Sequence, residues 1–116
     1  MIAGPHQQDR TLIELYANKM SGDPKGAAEL FSETAEYRGG KATPILFRGR
    51  PQIEDFASKN QGVTYRVIAH LERKGDDNYA DILVEGGGSE SRVDTYRFRT
   101  DGQSITEMEV VGSRKP

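Results

Sequence analysis

The sequence predicts an α+β domain, with helices gathered in the first half and an antiparallel strand meander filling the second. Three observations carry this reading. Apolar residues from Asp9 to Met20 recur at helical spacing, and the chain beyond Gly62 alternates apolar and polar residues in the manner of half-buried strands. The order is helices first and strands last, unlike the strict alternation that builds a parallel sheet. At 116 residues the length suits one domain.

MIAGPHQQ, residues 1–8, reads as a flexible leader. From Asp9 onward, Leu12, Ile13, Tyr16, Ala17 and Met20 define an amphipathic helix that stops at Ser21-Gly22. Asp23-Pro24 then supplies a carboxylate N-cap and a proline at the first helical position. This second helix is expected to turn Ala27, Ala28, Leu30 and Phe31 toward the core. AEYR is a short strand with Ala35 and Tyr37 on one face, broken by Gly39-Gly40, and PILFRG is a second short strand. Gly49-Arg50-Pro51 opens a third helix with Ile53, Phe56 and Ala57 along one side.

The meander follows. VTYRVIAHL places Val63, Tyr65, Val67, Ala69 and Leu71 on its apolar face and His70 on the solvated one. GDDN turns the chain, and YADILVE sends Ala80, Ile82 and Val84 inward and Asp81 and Glu85 outward. Gly86-Gly87-Gly88 turns it again. In VDTYRF, Asp94, Tyr96 and Phe98 share one face while Val93, Thr95 and Arg97 share the other. The register of the last hairpin follows from matching faces, because a one-residue slip exchanges them. A three-residue loop, Thr100-Asp101-Gly102 with Gly102 left-handed, sets Asp94, Tyr96 and Phe98 beside Met108 and Val110. It also sets Arg97 and Arg99 beside Glu107 and Glu109, where cross-strand ion pairs can form. Residues 113–116 read as a tail.

Composition narrows the function classes. Net charge is −2 with Lys and Arg spread along the chain, so no basic, aromatic-interleaved stretch favours nucleic acid. No apolar run reaches membrane-spanning length, and the start lacks a signal-peptide layout. Zero cysteines exclude disulfides, a thiol nucleophile and a thiolate metal site; two distant histidines, His6 and His70, make no metal site either. No cofactor-binding motif appears, and a cytoplasmic location is the expectation. Only 34% of residues are hydrophobic, a lean core that makes self-association worth considering.

Taken together, YANKMSGDPKGAAELFSETAEY, FRGRPQIEDF and DTYRFRTDGQSI resemble the NTF2-like superfamily, and within it the SnoaL-like and ketosteroid-isomerase-like proteins, over residues 9–112. The resemblance implies three helices packed on a strongly curved antiparallel sheet, forming a cone with a pocket. It also implies frequent homodimers, and functions that range from isomerases, cyclases, dehydratases and epoxide hydrolases to noncatalytic binding modules.

Family residues transfer unevenly. The isomerase base falls on Gly39, or on Gly40 with one residue of slack, and neither can take a proton. The helix-borne tyrosine falls on Leu15, with Tyr16 one residue away. The pocket acid falls on Asp94. The last-strand carboxylate of SnoaL-type cyclases has no inward counterpart in EVVGSR. The Arg-x-Asp pair of the epoxide hydrolases has only a loose echo in Arg92 and Asp94, on a different strand.

Asp94 is therefore the candidate catalytic residue, as a desolvated acid or hydrogen-bond donor; the alternative is a carboxylate paired with Arg92 on the same face. Tyr37 and Tyr96 are candidates to orient a ligand oxygen, while Tyr65 reads as core. Leu15, Tyr16, Phe31, Phe56, Phe98, Met108 and Val110 are the expected pocket lining. Ile68, Leu83, Val93, Ile105 and Val111 are expected on the convex sheet face as the centre of a homodimer interface. The function expected is a small-molecule pocket protein, an isomerase, cyclase or lyase acting on a mainly apolar carbonyl or hydroxyl compound without the usual base. The alternative is a noncatalytic dimerisation or protein-interaction module.

Overall fold

The computed structural model describes residues 5–39, 45–60 and 62–116. Its elements are α1 (Pro5–Met20), α2 (Pro24–Glu29), β1 (Phe31–Gly39), β2 (Ile45–Arg48), α3 (Gly49–Lys59), β3 (Val63–His70), β4 (Asn78–Gly86), β5 (Ser89–Thr100) and β6 (Ile105–Arg114). The six strands form one open sheet in the order β2-β1-β6-β5-β4-β3, with three helices packed on it. The α+β class and the closing meander are as expected. The sheet is mixed, however, because β1 pairs with β6 in parallel. No helix among the described residues is long and apolar enough to cross a membrane.

Helix α1 begins at Pro5, upstream of the expected Asp9, and buries Leu12, Ile13, Tyr16, Ala17 and Met20. Asp23 caps α2 by accepting from the Gly26 N–H at 3.0 Å, with Pro24 at the first helical position. The helix ends at Glu29, so Phe31 opens β1 instead of closing α2, and it is fully buried there. Arg50 fastens α3 to the same strand, its Nε donating to the Phe31 carbonyl at 2.8 Å.

Bulges shape the sheet, and each reverses the inward–outward alternation of its strand. In β3, Val67 pairs with Ile82 and Ala69 with Asp81, which leaves Ile68 extruded between them. Beyond it the faces exchange: His70 pairs with buried Ala80 and reaches Glu14 of α1 at 2.9 Å, while Leu71 is exposed. The expectation of a solvated sheet-surface histidine fails for this reason. The His6 side chain and Gly40 lie outside the described residues.

The β5–β6 hairpin has the expected faces, Phe98 opposite Met108, Tyr96 opposite Val110, Arg97 opposite Glu109 and Arg99 opposite Glu107. Gly102 is left-handed at φ 92°. The loop is longer than expected, however. Thr100 pairs with Ile105, and the Asp101 carboxylate accepts from the N–H groups of Gln103 and Ser104 at 2.9 and 2.7 Å. Those two donors hold the Asp101 carboxyl below its usual range. A bulge at Thr106 then turns Ile105 inward, where it is fully buried and donates its N–H to the Leu30 carbonyl at 2.8 Å.

On the opposite face, Arg97 is ion-paired with Asp77, Glu107 and Glu109, and Arg99 also reaches Asp77. Hydrogen bonds from Arg99, then Arg97, hold the Asp77 carboxyl below its usual range. Of the five residues expected at the centre of a convex apolar patch, two are buried: Ile105 in the core and Val93 between Leu83 and Arg114. Ile68 and Val111 are exposed, both as bulge residues, and Leu83 is half-buried. At the β4–β5 turn Gly86 has φ 97°, and a Cβ there would sit 2.4 Å from the Gly62 carbonyl oxygen. No side chain fits that approach.

Candidate functional site

A cavity of about 280 Å³ opens between α3 and the inner faces of β1, β2, β3, β5 and β6. Its buried lining is Tyr37, Tyr65, Tyr96 and Asp94. Phe47, Phe56 and Val110 supply half-buried apolar wall, and Gly39, Asn60, Arg92 and Ser113 complete it. The wall is continuous, with Phe47 and Phe56 ring centroids 4.8 Å apart and Tyr37 and Phe56 5.1 Å apart. Asn60 is oriented by its own helix, its Nδ2 donating to the Phe56 carbonyl at 2.8 Å.

The carboxylate expected on the oily face of β5 is there, 3% exposed and fully partnered. Arg92 Nε donates to both Asp94 oxygens at 3.0 Å, and Ser113 Oγ donates to Oδ1 at 2.5 Å. The pairing with Arg92, two residues along the same face, is thus the arrangement the structure contains. Burial pulls the Arg92 guanidinium down, but the Asp94 charge and hydrogen bond outweigh it and leave it raised. Ser113 reaches this site through a bulge: Val110 pairs with Tyr96 and Gly112 with Thr95, leaving Val111 extruded and bringing Ser113 opposite Asp94. An unbroken ladder would have placed Gly112 there.

Beneath the wall lies a tyrosine cluster. The Tyr16 hydroxyl donates to the Tyr37 hydroxyl at 3.1 Å, and the Tyr16 ring packs edge-on against Phe31, Tyr65 and Tyr96. Burial pushes all of these phenols up, Tyr16 and Tyr96 furthest. At Tyr37 the hydrogen bond from Tyr16 opposes the effect of burial, because it favours the phenolate. Because the Tyr37 hydroxyl accepts from Tyr16, it can donate its own proton toward an oxygen in the cavity that gains negative charge.

Of the expected site residues, Asp94, Tyr37, Tyr96, Phe56 and Val110 line this cavity, and so does Gly39, the residue on which the resemblance led one to expect the base to fall. Tyr16 is fully buried behind Tyr37 and acts on the cavity through it. Leu15 is 40% exposed on the outer side of α1 and takes no part. Phe31, Phe98 and Met108 are core residues outside the lining; Phe98 instead borders a second cavity of about 290 Å³ with Asp9, His70, Arg73 and Asn78. Sequence reasoning missed Phe47, Asn60 and Ser113, and it placed Tyr65 in the core where it also forms cavity wall. Phe47 had a signal, since β2 sets it opposite Tyr37. Ser113, delivered by a bulge, had none.

No protein-family model matches the chain, and no curated protein does. Solved structures do. A protein from Catenulispora acidiphila with a ketosteroid isomerase-like fold, crystallised with trimethylamine, superposes with a TM-score of 0.74 at 19% identity, over 84% of this chain and 82% of that one. An NTF2-like protein of unknown function from Burkholderia xenovorans gives 0.78 at 10% identity, over 97% and 87%. A phenazine biosynthesis-related protein from Pseudomonas aeruginosa gives 0.73 at 16%, over 90% and 75%. The chain has the NTF2-like, ketosteroid-isomerase-like fold.

Proposed function

We propose that this protein binds a small, mainly apolar compound in the cavity above Tyr37, with a carbonyl or hydroxyl oxygen of the ligand meeting that phenol. The observation that carries the reading is the tyrosine cluster in an aromatic-walled cavity whose acid is already paired. The volume lies near the lower end of the usual range for ligand sites, about 300–1,000 Å³. Gly39 offers no base, so isomerase, cyclase or lyase chemistry here would use Tyr37 to stabilise developing negative charge on the substrate oxygen. Asp94 would hold Arg92 and the rim in place, as a positioning residue. The Catenulispora protein's trimethylamine is consistent with small guests in this fold.

Ligand-detected NMR over small aromatic ketones and alcohols tests the reading. Bound compounds should perturb Val110 methyl and Phe56 ring signals, and Tyr37→Phe should weaken them by about tenfold, near 1.4 kcal/mol. Perturbations confined to the convex face would refute the pocket.

A homodimer through the convex sheet face is the companion proposal, supported by exposed Ile68 and Val111, 46% and 49% accessible, beside half-buried Leu83. Leu83→Glu is expected to convert a dimer to monomer in sedimentation velocity. A dimer that survives the change places the interface elsewhere. If dimerisation is the whole function, the Tyr37→Phe variant loses nothing measurable.

A further inference from the structure

Arg92 uses only part of its guanidinium, as Arg99 does in meeting Asp77 through Nε, but it does so at a cavity wall. Arg97 engages all its donor positions, with Nε on Glu109, Nη1 on Asp77 and Nη2 on Glu107. Arg114 uses both Nη groups, on Thr95 and Asp81. Arg92 hydrogen-bonds Asp94 through Nε alone, touching both carboxylate oxygens, and its Nη1 and Nη2 have no hydrogen-bond partner among the described residues. A pair built for strength would set the guanidinium fork against the carboxylate in two parallel bonds. Here the carboxylate is spent on fixing the side chain. The Asp94 side chain is buried and braced by Ser113, whereas the Arg92 side chain is 45% exposed and lines the cavity. Arg92 is also the one cation among the described lining residues.

We infer that the ligand carries a carboxylate: the free Nη edge of Arg92 receives it, Asp94 and Ser113 hold that edge in position, and the apolar body lies against Phe47, Phe56 and Val110. This rests on the small-molecule reading of the same cavity and names its substrate class, apolar monocarboxylates. A planar fork of donors suits a carboxylate better than a carbonyl, which lacks both the second oxygen and the charge that two parallel bonds engage. The Asp94 charge offsets part of the attraction, so the expected discrimination is moderate.

The test compares 3-phenylpropanoate, 3-phenylpropanamide and 3-phenylpropylammonium by titration calorimetry, with Val110 and Phe56 NMR signals reporting where each one binds. The carboxylate should bind about tenfold tighter than the amide to the wild-type protein. Arg92→Met, which keeps the aliphatic stem, should bring the two within about twofold. Because that change strands the buried Asp94, the Arg92→Met/Asp94→Asn double variant is measured beside it and should behave alike. Equal wild-type affinities for amide and carboxylate overturn the inference and leave the pocket reading standing. Preference for the ammonium compound overturns it too, and assigns recognition to Asp94. If none of the three shifts Val110 or Phe56, the pocket reading falls along with it.

Discussion

Ile105→Ala should lower the free energy of unfolding by about 3 kcal/mol, while Val111→Ala, on the same strand, should change it by no more than about 0.5 kcal/mol. Plain alternation along β6 treats the two residues alike, since they are six positions apart. The structure separates them by two bulges. The bulge at Thr106 turns Ile105 into the core at 0% exposure, opposite Phe31 of β1 and Thr100 of β5. The bulge at Val111 leaves that side chain 49% exposed. Truncating a sealed core side chain removes its transfer energy and leaves a cavity, whereas truncating an exposed one does neither. Urea unfolding of both variants decides the matter: a neutral Ile105→Ala would mean that the bulge, and with it the seam between β1 and β6, is misplaced.

Asp9→Ala should cost about 3 kcal/mol as well, through a different mechanism. Asp9 is 4% exposed near the start of α1, and its carboxylate is reached from three directions. Asn78 Nδ2 donates to Oδ2 at 3.0 Å, Thr100 Oγ1 donates to Oδ1 at 2.5 Å, and Arg73 Nη1 lies 3.7 Å away. These contacts tie the first helix to β4 and to the end of β5. Removing the carboxylate takes the acceptor from the Thr100 hydroxyl and from one Asn78 N–H, whose amide keeps only its bond to the Phe98 carbonyl, and that costs more than the hydrogen bonds were worth. Asp76→Ala, at an 85% exposed carboxylate that also approaches Arg73, is the control and should be close to neutral. The same unfolding experiment serves, and a loss below about 1 kcal/mol at Asp9 would show that water satisfies the stranded groups.

Much of the candidate site was legible because it sits where alternation holds. From Arg92 to Phe98, β5 keeps a regular period, so Asp94, Tyr96 and Phe98 could be set on one face, and Arg92 two residues from Asp94. Tyr37, Phe56 and Val110 followed from short amphipathic stretches whose polar neighbours leave one choice of inward face. Leu15 failed because it came from a count along the family pattern. The helix's own spacing buries Leu12, Ile13, Tyr16 and Ala17 and leaves Leu15 outside.

By itself the sequence determined the helix and strand order, the caps at Asp23 and Pro24, the inward faces of α1, β4 and β5, and the pairing of Arg97 with Glu107 and Glu109, but not the Asp77 carboxylate that Arg97 and Arg99 share. Each of these depends on neighbours a few residues away, or on one hairpin. Only the tertiary structure decided that β1 runs parallel to β6, that α2 ends early enough for Phe31 to open a strand, and that Ile68, Thr106 and Val111 are extruded. A bulge is settled by which of two successive residues the neighbouring strand engages, and that depends on how the bent sheet closes over the helices. No local spacing encodes it. Yet the bulge at Val111 carries Ser113 to Asp94, and the long-range contacts of α1, β1 and β6 place the tyrosines beneath it.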